Sequence, residues 1–218
     1  DRFFHHYIIP EEQKGDWPKE DFGKPGLELA NSVSKVWNTV LTQAYEQHVG
    51  SETAILFQMT FAKEVVLNYG APEEVFVQYR FPEAKKQVSI ELQWFKKQAS
   101  RLPEAIWFGF IPLLSTGAQW KIEKLGRWIS PTDVVENGNR HLHATGNGVE
   151  LAYPNGKLLI LPLDSTLVAP GTPSMLDFNN DQPDPNKGMH FCLLDNLWGT
   201  NFPMWFEEDC RFRFELSF

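Results

Sequence analysis

The sequence predicts a mainly β protein, a large antiparallel β-sandwich with one N-terminal amphipathic helix. From residue 53 onward, apolar and polar residues alternate with a period of two, which is typical of half-buried strands. Turn-forming pairs such as Asn147-Gly148 and Asn155-Gly156 separate these runs and predict tight hairpins. Residues 27–48 instead carry apolar side chains at spacings of three and four, which indicates a helix. Many short strands with one leading helix favour a sandwich.

The composition is that of a globular protein with an excess of aromatic residues. The chain has 218 residues, a net charge of -8 and eight tryptophans, so it is long enough for one large or two small domains. Basic residues are scattered, so we expect no nucleic acid partner, and no membrane partner, since no apolar run approaches the ~18 residues of a membrane span. Excess indole suits either a carbohydrate-binding surface or a thick sandwich core.

The sequence divides at residue 52. Residues 1–52 are predicted to be a connector and docking helix, and residues 53–218 the β-sandwich domain. Gly50 follows the helical pattern as a stop residue. The predicted strands are Ala54–Met59, Val75–Phe81, Val88–Phe95, Ala105–Ile111, Trp120–Ile122, His141–Ala144, Val149–Ala152, Leu158–Pro162, Met189–Leu194 and Cys210–Leu216.

The last thirty residues combine two strands with an aromatic loop. In the closing strand, even-numbered residues are apolar and odd-numbered ones charged, which predicts one buried and one exposed face. Cys192 and Cys210 lie on the two strands that flank the loop. If these strands pair, the thiols could form a disulfide; the alternative, which we favour, is two buried free thiols.

His141 and His143 lie in the segment with the most chemically active side chains. On a strand, both imidazoles would point to the same face, where they could bind one metal ion. The next carboxylate, Glu150, lies beyond a glycine turn, although a hairpin could bring it back. Histidines that are structural or that bond a sugar are the alternative, which we favour.

Two acidic segments are weaker candidates. The segment Asp177–Asp181 has alternating oxygen ligands but lacks the glycine and terminal acid of a calcium loop, so we interpret it as surface. The run Glu207–Asp209 could supply glycosidase carboxylates, but adjacent side chains on a strand point to different sides. We interpret this run as a solvated approach to the last strand.

Three blocks carry a resemblance to a known family. Residues 101–108 (RLPEAIWF), the block from Gly126-Arg127-Trp128-Ile129 to Ala144, and residues 197–206 (LWGTNFPMWF) resemble the C-terminal third of a family of uncharacterised glycosidase-like proteins, domain of unknown function 5054. That family is similar to the α-mannosidase-like glycoside hydrolases of family 38. The resemblance covers most of residues 53–218, with a looser match over residues 1–52.

The resemblance implies a galactose-mutarotase-like supersandwich that packs on an N-terminal catalytic barrel. In such enzymes the barrel carries the zinc ligands and the nucleophilic aspartate, and no His-x-Asp motif occurs in this chain. We therefore expect a non-catalytic sandwich without metal or cofactor. Its partners would be a carbohydrate and the missing barrel, on the same protein or a separate chain. A free-standing carbohydrate-binding module and a small metal-dependent enzyme using His141 and His143 are the alternatives.

Residue chemistry predicts which side chains lie near a sugar. Hydroxyl-rich ligands need hydrogen-bonding groups next to apolar ring faces, and polar residues flanked by indoles supply both. The predicted substrate-binding residues are Asn139, Arg140, His141, His143, Trp198, Thr200, Asn201 and Trp205.

Overall fold

Antiparallel strands dominate the protein. The computed structural model describes residue 24 and residues 27–114, 116–173, 179–197 and 205–218. Its strands are β1 (Val40–Val49), β2 (Glu52–Thr60), β3 (Glu74–Pro82), β4 (Gln87–Phe95), β5 (Ala105–Phe110), β6 (Gln119–Lys124), β7 (Arg127–Ile129), β8 (His143–Ala144), β9 (Val149–Tyr153), β10 (Gly156–Pro162), β11 (Leu167–Pro170), β12 (Met189–Asp195) and β13 (Cys210–Ser217). One α-helix, α1 (Lys63–Tyr69), and the 3₁₀ turns Leu27–Ala30 and Pro185–Lys187 complete the described elements.

The strands form two sheets. Sheet A has nine strands in the order β1-β2-β3-β4-β13-β10-β9-β6-β7, and sheet B has four in the order β5-β12-β11-β8. All strand pairs of both sheets are antiparallel. The predicted mainly β fold with antiparallel sheets is therefore confirmed.

The core lies between the inner faces of the two sheets. Phe214 of sheet A and Phe191 of sheet B are both buried, with ring centroids 5.2 Å apart. Phe108 and Phe110 on β5 lie 5.3 and 5.4 Å from the Phe214 ring. Strand alternation brings these rings together, because every second residue of each strand faces the opposite sheet.

The predicted helix over residues 27–48 is wrong. The structure has a short 3₁₀ turn at Leu27–Ala30 and then the ten-residue strand β1, which pairs with β2. β-branched and aromatic residues such as Val40, Thr42 and Tyr45 suit a strand, and pairing with β2 outweighs the helical spacing. Gly50, with φ of 60°, opens the two-residue loop between β1 and β2 rather than ending a helix.

The helix of the described residues lies further along the chain. Helix α1 ends at Gly70, whose left-handed φ of 71° lets its backbone N–H donate to Val66 O at 3.2 Å. Only Val65 of this helix is buried. No helix in the described part of the chain is long and apolar enough to cross a membrane.

Most predicted strands are present with small shifts in their ends. β2, β3, β4, β5, β6, β9, β10, β12 and β13 cover the predicted runs. The predicted strand His141–Ala144 is shorter, since β8 begins at His143. β7 and β11 are additional, as three- and four-residue strands too short to show a clear alternation.

Which strands pair decides whether a turn closes a hairpin or connects the two sheets. Pro154-Asn155 joins β9 and β10 in a tight hairpin, because Tyr153 pairs with Gly156, and this confirms the predicted turn. The hairpin predicted at Asn147-Gly148 is wrong: this turn connects β8 of sheet B to β9 of sheet A. The proposed division at residue 52 falls where β1 and β2 form one hairpin.

The strands that carry Cys192 and Cys210, β12 and β13, do not pair with each other. Cys192 lies opposite Trp107 in sheet B, and Cys210 lies opposite Trp94 in sheet A. Both thiols are free and half-buried. Burial, with a further contribution from Asp195, raises the pKa of Cys192 to about 12.

Candidate functional site

The loop before β8 and the loop before β12 meet at the surface, and we call their contact the loop cluster (residues 137–143 and 179–181). His141 Nε2 lies 3.1 Å from Asn179 Oδ1, and Asn180 Nδ2 donates to Asn137 Oδ1 at 2.7 Å. Asn139 is exposed, and its Oδ1 accepts the backbone N–H groups of His141 and Leu142. The contact between the two loops is therefore made by uncharged amides and one imidazole, which bond oxygen atoms well, and the same loops also carry the charged residues Arg140 and Asp181.

Arg140 anchors this loop and keeps one donor unused. Its Nη2 donates to Val134 O at 3.4 Å, while its buried Nε has no hydrogen-bond partner among the described residues. A buried donor without a partner costs free energy unless another acceptor reaches it. Among the described residues, Arg140 Nε is thus a buried donor without a hydrogen-bond partner.

His143 is buried and does not share a face with His141 as predicted. Its side chain is 3% exposed, and its Nε2 lies 3.2 Å from Arg140 O. Burial, with the nearby charge of Lys124, lowers the pKa of His143 to about 4. The ring is therefore neutral at pH 7 and holds the loop to β8. His141 remains half-exposed, because it precedes the strand.

Glu150, the carboxylate that a hairpin could have brought to the two histidines, lies on β9 in sheet A. Glu150 bonds Lys157 Nζ at 2.8 Å, with Lys121 Nζ at 3.7 Å, on the outer face of sheet A. No group of three or more His, Cys, Asp or Glu in the described ranges could hold a metal ion. The two acidic segments stay weak candidates: Glu207–Asp209 is exposed, and Asp177 lies outside the described residues.

The predicted indoles are not brought to the loop cluster. Trp205 is 42% exposed, and the Arg101 guanidinium lies 4.5 Å from its ring centroid, in the connection that leads into β5. β5 and β8 form opposite edges of sheet B, three strand spacings or roughly 14 Å apart. Trp198, Thr200 and Asn201 lie outside the described residues. The predicted site residues that the structure describes therefore form two separate groups, one at the loop cluster and one at Trp205.

A buried polar network around Lys97 escaped the sequence interpretation. Lys97 Nζ, with a side chain that is 0% exposed, donates to Glu104 Oε1 at 2.8 Å and to two backbone carbonyls, those of Gly70 and Gln98. Asn196 Nδ2 also donates to Glu104 Oε1, at 3.2 Å. Burial raises the pKa of Glu104, and Lys97 partly opposes this effect. In the sequence, Lys96 and Lys97 resemble any pair of surface lysines, so no local pattern predicts that Lys97 is buried.

A second carboxylate holds the turn after β8. Glu123 Oε2 accepts the backbone N–H groups of Gly146 and Asn147 at 3.0 and 2.9 Å, and its Oε1 accepts that of Gly126. These bonds, led by that from Asn147, lower the pKa of Glu123. The carboxylate therefore fixes the crossing from sheet B to sheet A.

Together these features define a two-sheet antiparallel β protein with a surface cluster of polar, hydrogen-bonding side chains. Residues 1–89 match the model of the family described as Domain of unknown function (DUF5054). The predicted resemblance to this family is confirmed for that part of the chain. No curated protein matches the sequence.

The matched range differs from the expected one. The resemblance was expected mainly over residues 53–218, whereas the match overlaps that region only in residues 53–89. The three blocks of sequence that suggested the family lie C-terminal to the match. Neither comparison links the chain to glycoside hydrolase family 38.

Proposed function

We propose that this chain is the non-catalytic β-sandwich portion of a family-38-like glycoside hydrolase, where it supports a carbohydrate-binding cleft and lines it with the loop cluster. The observation that carries the proposal is the group of amide and imidazole side chains that the two loops bring together at the surface, with His141 Nε2 3.1 Å from Asn179 Oδ1 and Asn139 exposed beside them. Sugar hydroxyls both donate and accept hydrogen bonds, so they match such a surface.

The environments of several titratable groups support a non-catalytic role. His143 is buried and neutral, Glu104 bonds Lys97, and Glu150 bonds Lys157. A glycosidase needs two carboxylates across the scissile bond, one of them free to donate a proton. These groups are committed to the fold, and the resemblance assigns the reaction to a barrel on the same protein or a separate chain.

The experiment compares the chain alone with the chain joined to or mixed with the barrel. We expect the chain alone to release no aglycone from aryl mannosides, and the combined protein to release it. His141→Ala should then lower kcat/KM about tenfold, the effect of losing about one hydrogen bond to the substrate. His48→Ala, an exposed histidine on β1, is the matched control and should leave kcat/KM unchanged.

Two outcomes contradict the proposal. Hydrolysis by the chain alone would show that the reaction centre lies within it. Equal kcat/KM for His141→Ala and the parent protein would remove the loop cluster from the cleft.

A further inference from the structure

Strand β1 is an open edge of sheet A. In the part of the chain that the structure describes, β1 pairs with β2 on one side and with no strand on the other. It has ten residues, whereas the other three edge strands, β5, β7 and β8, have six, three and two. An edge strand presents a row of unpaired backbone N–H and C=O groups, which another strand can satisfy. The backbone of this edge therefore fits an extended chain.

The side chains of β1 do little to protect this edge. All ten residues are exposed, among them Tyr45 at 50% and Val49 at 61%. Natural edge strands commonly carry lysine or proline, and β1 contains neither. A bulge lies only near its start, where Thr42 Oγ1 donates to Gln58 O at 2.9 Å. Residues 43–49 after the bulge pair regularly with β2, so their free side has the geometry of a strand ready for pairing.

The last five residues of β1 are complementary to their own reverse. Residues 45–49 are an apolar residue, an acid, an amide, a base and an apolar residue, in the order YEQHV. In an antiparallel pair of two such strands with a two-fold axis at Gln47, Glu46 of each copy lies opposite His48 of the other. Tyr45 of each copy likewise lies opposite Val49 of the other, and Gln47 lies opposite Gln47. Aromatic–β-branched and opposite-charge pairs of this kind stabilise a sheet.

Other self-pairings lose this match. A parallel pair in register, or an antiparallel pair with its axis at Glu46, places the two Glu46 carboxylates opposite each other. An axis at Tyr45 places Glu46 opposite Ala44 and leaves His48 without a carboxylate. The register with β2 puts Glu46 and His48 on one face, so both can take part in the same row of contacts. Charge complementarity therefore selects the axis at Gln47.

The charged groups around this edge are few. Glu46 and His48 are 60% and 69% exposed, and His48 Nε2 lies 3.2 Å from Glu46 Oε1 of its own strand. Glu52, opposite Val49 on β2, is already paired with Arg80 at 3.1 Å. Exposed ion pairs add little affinity, but they select the register and the partner. His48 can donate to the carboxylate of either copy, so the two-fold pairing leaves no charge opposed by a like charge.

We propose that two copies of the chain pair through β1, antiparallel about Gln47, so that sheet A continues from one copy into the other. Each copy has one such edge, so the pairing ends at a dimer. The five-residue overlap makes a small interface, and we expect a dissociation constant on the order of 100 μM. The proposal is independent of the proposed function. Kinetic assays at nanomolar enzyme would contain monomer, so His48→Ala remains the matched control for His141→Ala.

Sedimentation velocity from about 10 to 500 μM tests the dimer. Glu46→Lys removes the attraction to His48, and His48→Glu places two carboxylates opposite each other. Each substitution occurs twice across the axis, so each variant alone should dimerise at least about tenfold more weakly. An equimolar mixture of the two variants should form a heterodimer as tight as the parent dimer. In it the introduced lysine lies opposite the introduced glutamate, and His48 of the first variant lies opposite Glu46 of the second.

Cysteine cross-linking tests the register. Gln47→Cys places the two new thiols opposite each other at the axis, within the Cα separation of about 7 Å that a disulfide allows. Gln43→Cys is the matched control on the same face of β1, because its two copies would lie roughly 27 Å apart along the strands. Under mild oxidation we expect a covalent dimer from Gln47→Cys and not from Gln43→Cys. Both variants keep Cys192 and Cys210, so the native thiols contribute equally.

Several outcomes would overturn the proposal. A chain that stays monomeric throughout the concentration range would leave the edge to a strand of a different protein. Dimerisation that neither Glu46→Lys nor His48→Glu weakens would place the contact on another surface. A mixture of the two variants that stays monomeric, with both unfolding at the parent's temperature, would contradict the charge match. Equal cross-linking of Gln43→Cys and Gln47→Cys would contradict the axis.

Discussion

Replacing Lys97 by methionine should destabilise the protein severely. Methionine fills most of the volume of the lysine stem, but it cannot donate to Glu104, Gly70 or Gln98. The Glu104 carboxylate, whose side chain is only 17% exposed, would then be buried without its cation. Removing one partner of a buried ion pair costs about 3–5 kcal/mol. For a chain of this length, that corresponds to a fall in Tm of about 6 to 20 °C.

The pH dependence distinguishes lost charge from lost packing. Burial already raises the pKa of Glu104, so the stability linked to its protonation is fully present below its unfolded pKa. That stability is lost as the pH rises through the higher folded pKa. Without Lys97 the folded pKa rises further, so the deficit of Lys97→Met should be larger at pH 7 than at pH 4. Lys97→Met with Glu104→Gln should recover part of the deficit.

Urea unfolding followed by tryptophan fluorescence gives the free energies, with Lys96→Met as the matched control. Lys96 is the preceding residue, and its Nζ bonds Glu74 at 2.7 Å, but its side chain is 56% exposed. An exposed ion pair of this kind contributes little to stability, because water and salt screen it. A loss below about 1 kcal/mol in Lys97→Met, or a loss equal to that of the control, would refute the reasoning about the buried network.

The remaining predictions concern a glycine and a histidine. Gly148→Ala should destabilise by more than about 3 kcal/mol, because its φ is +84° and a Cβ atom there would lie 2.0 Å from Ile160 O. Gly126→Ala, with φ of +83° in open space, should cost only about 1–2 kcal/mol in the same urea assay, and equal losses would contradict the steric argument. His143 has a folded pKa of about 4, below its unfolded value, so its contribution is present above pH 6.5 and is lost as the pH falls toward 4. That loss is about 3 kcal/mol, and His143→Gln should remove this part of the pH dependence; an unchanged profile would contradict it.

The alternation of apolar and polar residues was sufficient to predict the long strands. In β4 and β13 every inward residue is apolar, and every outward residue except Phe95 is polar. This pattern can be recognised without knowing which strands lie beside them. Period two is a local property of an extended chain with one buried face.

The structure of short segments and the position of single residues could not be predicted, because they depend on contacts with distant parts of the chain. Residues 40–49 satisfy a helical spacing as well as a strand, and pairing with β2 decides between them. In the candidate site, the sequence singled out Arg140 and His141, which do lie at the surface loop, but it also joined them to Trp205 at the opposite edge of sheet B. Spacing along the chain contains no information about which edge of a sheet a loop reaches.

What the sequence by itself determined is the β character of the chain, the buried face of each long strand and the excess of aromatic residues. Only the tertiary structure decided that β1 is a strand, that Cys192 and Cys210 lie in different sheets, and that Lys97 is a buried cation. Local patterns record which face of a segment avoids water. Sheet membership, register and the burial of single charges come from contacts between residues far apart in sequence, and a sum of local preferences does not contain them.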